Sequence, residues 1–398
     1  MTRQNSRKAR GILFSAWIVF GSLISFLYAQ NLTGGKVIRL DLQQTAKASG
    51  SLKLSDIADD ISYVKLETTK DCFFTPSQFI VRENCIYARD RDNGKVLLFN
   101  RQGKFLRQIG KIGKGPTEHL GAFTMQASLK GDRVYLFSKK SNRLTSYSSE
   151  GQKLSEFAVK YPSWGFAPMS DNQFIFLTPF GFPSPDSSAF FFYLQDNQGN
   201  VKRKIKTHRN IPIGGAIEFG RFFINPALVL AYQPFCDTVF EISPKGDFLP
   251  RYVLEFGKNR MPDDVWFDRD KFERVKYDYI NSVNLLPTKG ILFIRFGYQK
   301  TRRIGLVSLS DGATKGSKTT SGLIENDIDG GPDFWPGETN GINEVYSFVQ
   351  PVDLLQKWQR GEFKDRKFRS QADNARFVEM VNSLREDDNP VMVIVRLK

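Results

Sequence analysis

Histidine is almost missing from this chain: His119 and His208 are the only two in 398 residues. That excludes a multi-histidine metal centre and leaves little scope for serine–histidine catalysis, for which no Gly-x-Ser-x-Gly elbow is present either. Cysteine is nearly as scarce. Cys72, Cys85 and Cys236 are too few and too scattered for a disulfide scaffold or a zinc cluster. An exported chain permits one bridge, such as Cys72 with Cys85, leaving an odd thiol. Low complexity is also absent, apart from the polar "DGATKGSKTTSG" at 311–322, which reads as a loop.

What is abundant points to strands and turns. Phe occurs 35 times, Gly 32 times and Pro 18 times, a mixture that suits short strands joined by tight turns. A chain of 398 residues could hold two or three average domains, yet all-β barrels and propellers often run long as single units. At this size it buries roughly three quarters of its unfolded surface and needs no staples.

Arg3, Arg7, Lys8 and Arg10 open the sequence without an acid. The uncharged run "GILFSAWIVFGSLISFLY" follows from Gly11 to Tyr28, then Ala29 and a polar start. This is the layout of a secretory signal over 1–29 with a cut after Ala29. The alternative is an uncleaved anchor, the only route to a membrane here, since eighteen helical residues reach about 27 Å against a hydrocarbon core of about 30 Å. A lipid-attachment Cys is lacking at the end of the run. Removing the four leading bases from the formal +15 leaves about +11. An exported basic protein is expected to meet anionic glycans or other envelope polymers rather than nucleic acid. The densest basic run, "VKRKIKTHR" at 201–209, reads as a solvated outer strand and turn.

A repeat underlies the middle of the chain. A short apolar run, a polar turn with Gly and a second apolar run recur around Gly103, Gly151, Gly199 and Gly246, at spacings of 48, 48 and 47 residues. A weaker copy lies around Gly312, after 66 residues. Each Gly suits a tight hairpin that needs positive φ. A second element lies upstream of the hairpins, and in the two cleanest copies Ile86 and Val134 are again 48 apart. Four strands per 40–50 residues is the signature of a propeller blade. Five copies fall between about 85 and 315, and the ends supply a sixth: "KVIRLDL" and "ISYVKLET" at the front, "EVYSFVQ" and "VMVIVRLK" at the back. The expected fold is therefore all-β: a six-bladed β-propeller over 55–398 with four-stranded blades, closed by N- and C-terminal strands, after an N-terminal segment at 30–54. Helical insertions are expected at 261–283, where Phe267, Phe272, Val275 and Tyr279 keep helical spacing, and in "PVDLLQKWQRG" and "SQADNARFVEMVNSL".

"GKIGKGPTEHL" at 110–120 has the glycines and lysines of a phosphate loop but not its order. It offers no Gly-Lys-Thr, Pro116 removes a backbone donor, and strand-like repeats flank it. It reads as a joint between blades.

The stretches "ISYVKLETTKDCFF", "IYARDRDNGKVLLFNRQGKFLRQIGKIGKGPTEH", "ENDIDGGPDFWP" and "EDDNPVMVIVRLK" together resemble the secreted six-bladed propeller family of Bacteroidetes, itself similar to NHL-repeat propellers. The resemblance spans about 55–398 and implies a six-bladed propeller of the cell envelope, but no general activity and no catalytic set.

Two kinds of site can be nominated. Some six-bladed propellers hydrolyse lactones or esters around calcium or another divalent ion in the channel, and Asp90, Asp92 and Asn93 of "RDRDNG" with Asp327, Asp329 and Asp333 of "NDIDGGPD" are the candidates to hold it. Asp and Asn beside Gly also make turns by bonding their own backbone, which is the plainer reading of both stretches. The aromatic candidates are Trp335 in "DFWPG" and Trp164 in "YPSWGF", suited to stacking on a sugar or anchoring a partner. The favoured function is an exported binding or scaffold module for a protein, peptide or glycan of the envelope, with no cofactor. The alternative is a calcium-type metal-dependent hydrolase or lyase with its site in the channel.

Overall fold

The computed structural model describes residues 37–398 apart from 129–130, 171, 179–189, 207–219, 226–227, 233–235, 267 and 320. The expected signal at 1–29 and the start of the segment at 30–54 lie outside the described residues, as does Phe267.

Chain order runs from β1 (Ile38–Asp41) through a helix (Leu42–Lys47) to β2 (Ala58–Lys65), and then into successive antiparallel blades. Blade 1 is β3 to β6 (Pro76–Val81, Cys85–Asp90, Val96–Asn100, Phe105–Gln108). Blade 2 is β7 to β10 (Thr124–Ala127, Arg133–Ser138, Arg143–Ser148, Lys153–Ala158). Blade 3 is β11 to β14 (Gly165–Ser170, Gln173–Leu177, Phe190–Asp196, Val201–Lys206). Blade 4 is β15 to β18 (Arg221–Asn225, Leu228–Tyr232, Thr238–Ile242, Phe248–Glu255). Blade 5 is β19 to β22 (Asn281–Pro287, Ile291–Tyr298, Thr301–Ser308, Thr314–Thr319). Blade 6 is composite: β23 (Glu338–Thr339), β24 (Glu344–Val349) and β25 (Val391–Leu397) are completed on the outside by β2.

The alternation along each middle strand explains why the blades stack in a ring. Successive side chains of a strand point to opposite faces. In blade 1, Cys85, Tyr87, Val96 and Leu98 turn toward blade 2, where they meet Met125, Val134, Leu136 and Tyr147. Ile86, Ala88, Leu97 and Phe99 turn the other way, to Tyr346 and Met392 of blade 6. Both faces are covered, so these strands read as nearly unbroken apolar runs. Equivalent clusters fill the joints between blades 2 and 3, 3 and 4, 4 and 5, and 5 and 6. Among the described residues, an apolar cluster fills each of the six joints of the circle.

Closure follows the expected route for one N-terminal strand but not the other. β2 pairs antiparallel with β25, Ile61 opposite Val395 and Tyr63 opposite Val393. Phe79 of blade 1 stacks flat on Phe348 of blade 6, ring centroids 3.4 Å apart. The strand β1 within "KVIRLDL", by contrast, lies across the wheel as a parallel fifth strand on blade 4, Ile38 opposite Tyr252 and Leu40 opposite Leu254. Its placement has a physical reason. β18, at eight residues, outruns the five-residue β17 and would otherwise expose a long outer edge. Leu40, Leu42 and Ala46 join the core between blades 4 and 5, and Arg39 Nε contacts Glu255 at 2.5 Å.

The five repeat glycines sit in the hairpins joining third and fourth strands, with φ of +83° at Gly103 and +77° at Gly312. The joint at 110–120 is closed on itself: Gly115 N donates to Glu118 Oε2 at 2.7 Å, and Gly113 N to His119 O at 3.0 Å. The chain's own carboxylate thus takes a backbone donor that a phosphate would need.

The 261–283 stretch holds two short helices, Asp263–Trp266 and Arg269–Val275, not one. Asp268 breaks the run with extended backbone and caps the second helix by accepting from Lys271 N at 2.9 Å. The helices Pro351–Gln359 and Gln371–Asn382 interrupt blade 6 between β24 and β25 and pack Leu354, Phe377 and Val381 against Tyr63 and Val391. The Cys72–Cys85 bridge is not formed. Cys72 lies in the core between blades 6 and 1, donating to Glu67 O at 3.0 Å, while Cys85 lies on the opposite face of blade 1.

Candidate channel site

Short innermost strands surround a central channel. A cavity of about 520 Å³ opens there, within the range of about 300–1,000 Å³ usual for small-molecule sites. Apolar walls come from Ile80, Phe222, Ile224, Leu286 and Phe348, and polar groups from Gln78, Gln126, Asn284, Arg82, Arg295 and Glu338. Gln78 is committed to structure: its Oε1 accepts from Met125 N at 3.0 Å, and its Nε2 donates to Met125 O at 2.8 Å. So is Arg82, which donates to Ser128 O at 3.0 Å, Val81 O at 2.8 Å and Ala127 O at 3.2 Å, stitching blade 1 to blade 2. Burial holds its guanidinium below the ordinary arginine range.

Glu338, the first residue of β23, is different. It is half-buried at the cavity wall, and burial pushes its carboxyl up to about 8, against the opposing field of Arg82. It is therefore largely protonated at neutral pH. Arg295 lies over the Trp335 ring, 5.0 Å from its centroid, and burial followed by the neighbouring Arg302 charge lowers its pKa. Trp335 is only 5% exposed, yet its indole Nε1 has no acceptor.

The nominated carboxylates go elsewhere. Asp327 accepts from Ser55 N at 2.9 Å and Ser55 Oγ at 2.6 Å. Asp329 is buried, accepting from the Tyr63 hydroxyl at 2.7 Å, Asn326 Nδ2 at 2.6 Å and Gly331 N at 2.8 Å. Asp333 pairs with Arg366 at 2.8 Å. Together they tie the N-terminal segment and the helical insertion to the entry of blade 6. Asp90 and Asp92 close the turn after β4, bonding Thr75 N at 3.3 Å and Thr75 Oγ1 at 2.8 Å. Among the described residues, no group of three or more His, Cys, Asp or Glu is placed to hold a metal ion.

The two tryptophans part company. Trp335 lines the channel, edge-on to Phe293 at 5.9 Å. Trp164 is 42% exposed in the loop that leads into blade 3, where Lys139 Nζ sits 3.5 Å from its ring centroid. Glu338, Arg295, Asn284 and Gln126 escaped the sequence reading. One signal was within reach: Gln78 and Gln126 keep the same 48-residue spacing as Ile86 and Val134, which marks a polar position on the innermost strand.

Fold and channel define a six-bladed β-propeller with a mixed polar and apolar central cavity. The chain belongs to the family described as a domain of unknown function, DUF4934, matched over residues 37–396. A protein of Bacteroides fragilis, named as one expected to be exported, is similar in structure: TM-score 0.74 and 16% identity, over 91% of this chain and all (100%) of that one. At this identity the likeness shows the fold alone. A Bacteroides vulgatus member of the DUF4221 family is 10% identical with a TM-score of 0.48, over 86% of this chain and 97% of that one. No curated protein matches the sequence. Among the described residues, no helix is long and apolar enough to cross a membrane.

Proposed function

We propose that this chain is a binding propeller of the bacterial cell envelope, and that its central channel receives a small organic ligand or the end of a glycan or peptide. One observation carries the reading: a cavity of about 520 Å³ lined by apolar and polar side chains together, Arg295, Glu338 and Trp335 among them, with the Trp335 Nε1 lacking an acceptor among the described residues. Satisfied polar groups would be expected of a channel that only holds blades together, since an unpaired buried donor costs stability of about 1–3 kcal/mol. Export is supported by the basic, then apolar, leader and by the naming of the Bacteroides fragilis neighbour.

The test is a thermal-shift screen of the purified chain against envelope glycan fragments and peptides, run beside Gln126→Trp, which fills the channel from β7. A ligand that raises the melting temperature of the native protein but not of this folded variant is the expected result. Stabilisation that survives the filled channel would move the site to the loops and refute the channel reading.

A further inference from the structure

The channel lining carries two arginines, Arg82 and Arg295, against one acid, Glu338, and where blades 5 and 6 meet a further arginine, Arg302, neighbours Arg295. Asn284 of β19 lies directly opposite Arg295 of β20, and Arg302 of β21 lies opposite Gly297, two residues further along. Directly opposed and diagonal neighbours share a sheet face. Arg295 and Arg302 therefore rise side by side from the face of blade 5 that turns toward blade 6. Their stems close on one glycine: a Cβ added at Gly322 would fall 2.8 Å from Cδ of Arg302 and 3.3 Å from Cδ of Arg295. Any side chain there would force the two arginines apart.

Two like charges side by side repel, and an anion bound beside them offsets that repulsion. Among the described residues neither meets a carboxylate, and the cavity's one acid, Glu338, pairs with neither. Beneath Arg295 lies the Trp335 indole, nine-tenths buried or more, whose N–H is left without an acceptor. All three are donors of the kind an oxyanion takes, and arginine binds such a group in bidentate fashion.

We propose that the wedge between blades 5 and 6, bounded by the channel wall at Arg295 and Trp335 and by the exposed Arg302 behind it, is a subsite for the carboxylate or phosphate group of a small organic ligand, held by Arg295 and Arg302 with the indole N–H of Trp335 as a further donor. The apolar surface of Phe222, Ile224, Leu286 and Phe348 receives the rest of that ligand. The inference rests on the channel reading above and narrows it to acidic ligands.

Calorimetric titration of the full chain with glucuronate, glucose 6-phosphate and neutral glucose tests it. Both acids, or one of them, are expected to bind at least about tenfold more tightly than glucose, the preferred one identifying the oxyanion as carboxylate or phosphate. Arg302→Gln, at an exposed position and so compatible with folding, should weaken the acid about tenfold, and Arg295→Gln at least as much. Trp335→Phe keeps the ring, loses the N–H and should cost about threefold. Raising salt from about 50 to about 500 mM should weaken the acid and leave glucose unchanged. Equal binding of acid and glucose, or full acid affinity in Arg302→Gln and Arg295→Gln, overturns the proposal. So does a native protein that binds neither acid, even if larger envelope fragments still occupy the channel and are displaced by Gln126→Trp, in which case the channel reading alone survives.

Discussion

The hydroxyl of Tyr63 donates to Oδ2 of Asp329 across 2.7 Å, joining the N-terminal strand that closes the wheel to the loop that enters its last blade. Asp329 also receives Asn326 and Gly331, while Asn374 of the helical insertion donates to its backbone oxygen at 2.9 Å. The carboxylate is therefore the hub of a latch, with burial raising its pKa and the hydroxyl of Tyr63 also pushed up by burial and by Asp329 itself.

Tyr63→Phe should lower unfolding free energy by about 1–2 kcal/mol, since it removes one bond and leaves the carboxylate two donors. Asp329→Ala strands Tyr63, Asn326 and Gly331 at once and should cost about 3 kcal/mol or more. Urea denaturation checks both. If the two variants melt alike, Asp329 is not the hub described.

Glu338 makes stability depend on pH with a definite sign. Its folded pKa, about 8, lies above the ordinary glutamate value of about 4.3, so the folded chain holds the proton more tightly. The resulting stabilisation is complete below about pH 4.3 and is lost as pH rises toward 8, at up to about 1.4 kcal/mol per pH unit. Glu338→Gln should remove that slope. Denaturation midpoints at pH 5, 6.5 and 8 (roughly spanning the window) should fall for the native chain and fall less for the variant. A native chain that gains stability across that range contradicts the burial assigned to this group.

Gly103 and Gly312 occupy the same turn in different blades but not the same surroundings. Both have positive φ, yet a Cβ at Gly103 would fall 2.0 Å from the Lys65 carbonyl oxygen of β2, whereas nothing lies within 4 Å at Gly312. Gly312→Ala should cost about 1–2 kcal/mol, the conformational term alone. Gly103→Ala must also push the closing strand outward and should cost well above that. Equal thermal shifts would show that β2 does not lie where blade 1 meets it.

Cys72 and Cys85 should behave as buried thiols. Alkylation with iodoacetamide followed by mass spectrometry should leave both unmodified in the native protein and modify both in denaturant without reductant, because neither is bridged and both lie in core clusters. Protection that persists in denaturant until a reductant is added would reveal a disulfide at one of them.

The blades were legible because their causes are local. A glycine hairpin recurring after 47 or 48 residues over the first four copies, flanked by apolar strands, states how each piece bends and which faces it hides, as the turns at Gly103 and Gly151 and the paired faces of β4 and β5 bear out. The site was far less legible. Asp327, Asp329 and Asp333 carry the residue types of a metal site, but Ser55, Tyr63 and Arg366, distant in the chain, take their oxygens. Glu338 carried no mark at all.

By itself, then, the sequence determined the repeating unit, the number of blades and the strand "ISYVKLET" that seals them, since turn chemistry and alternation act between near neighbours. Only the tertiary structure decided that β1 crosses to blade 4, that Trp335 is buried in the channel wall while Trp164 faces out, and that Arg295 and Arg302 stand together without a counter-charge among the described residues. These depend on which blade comes to lie beside which once the circle closes, and burial and electric field are properties of that arrangement rather than of any single segment.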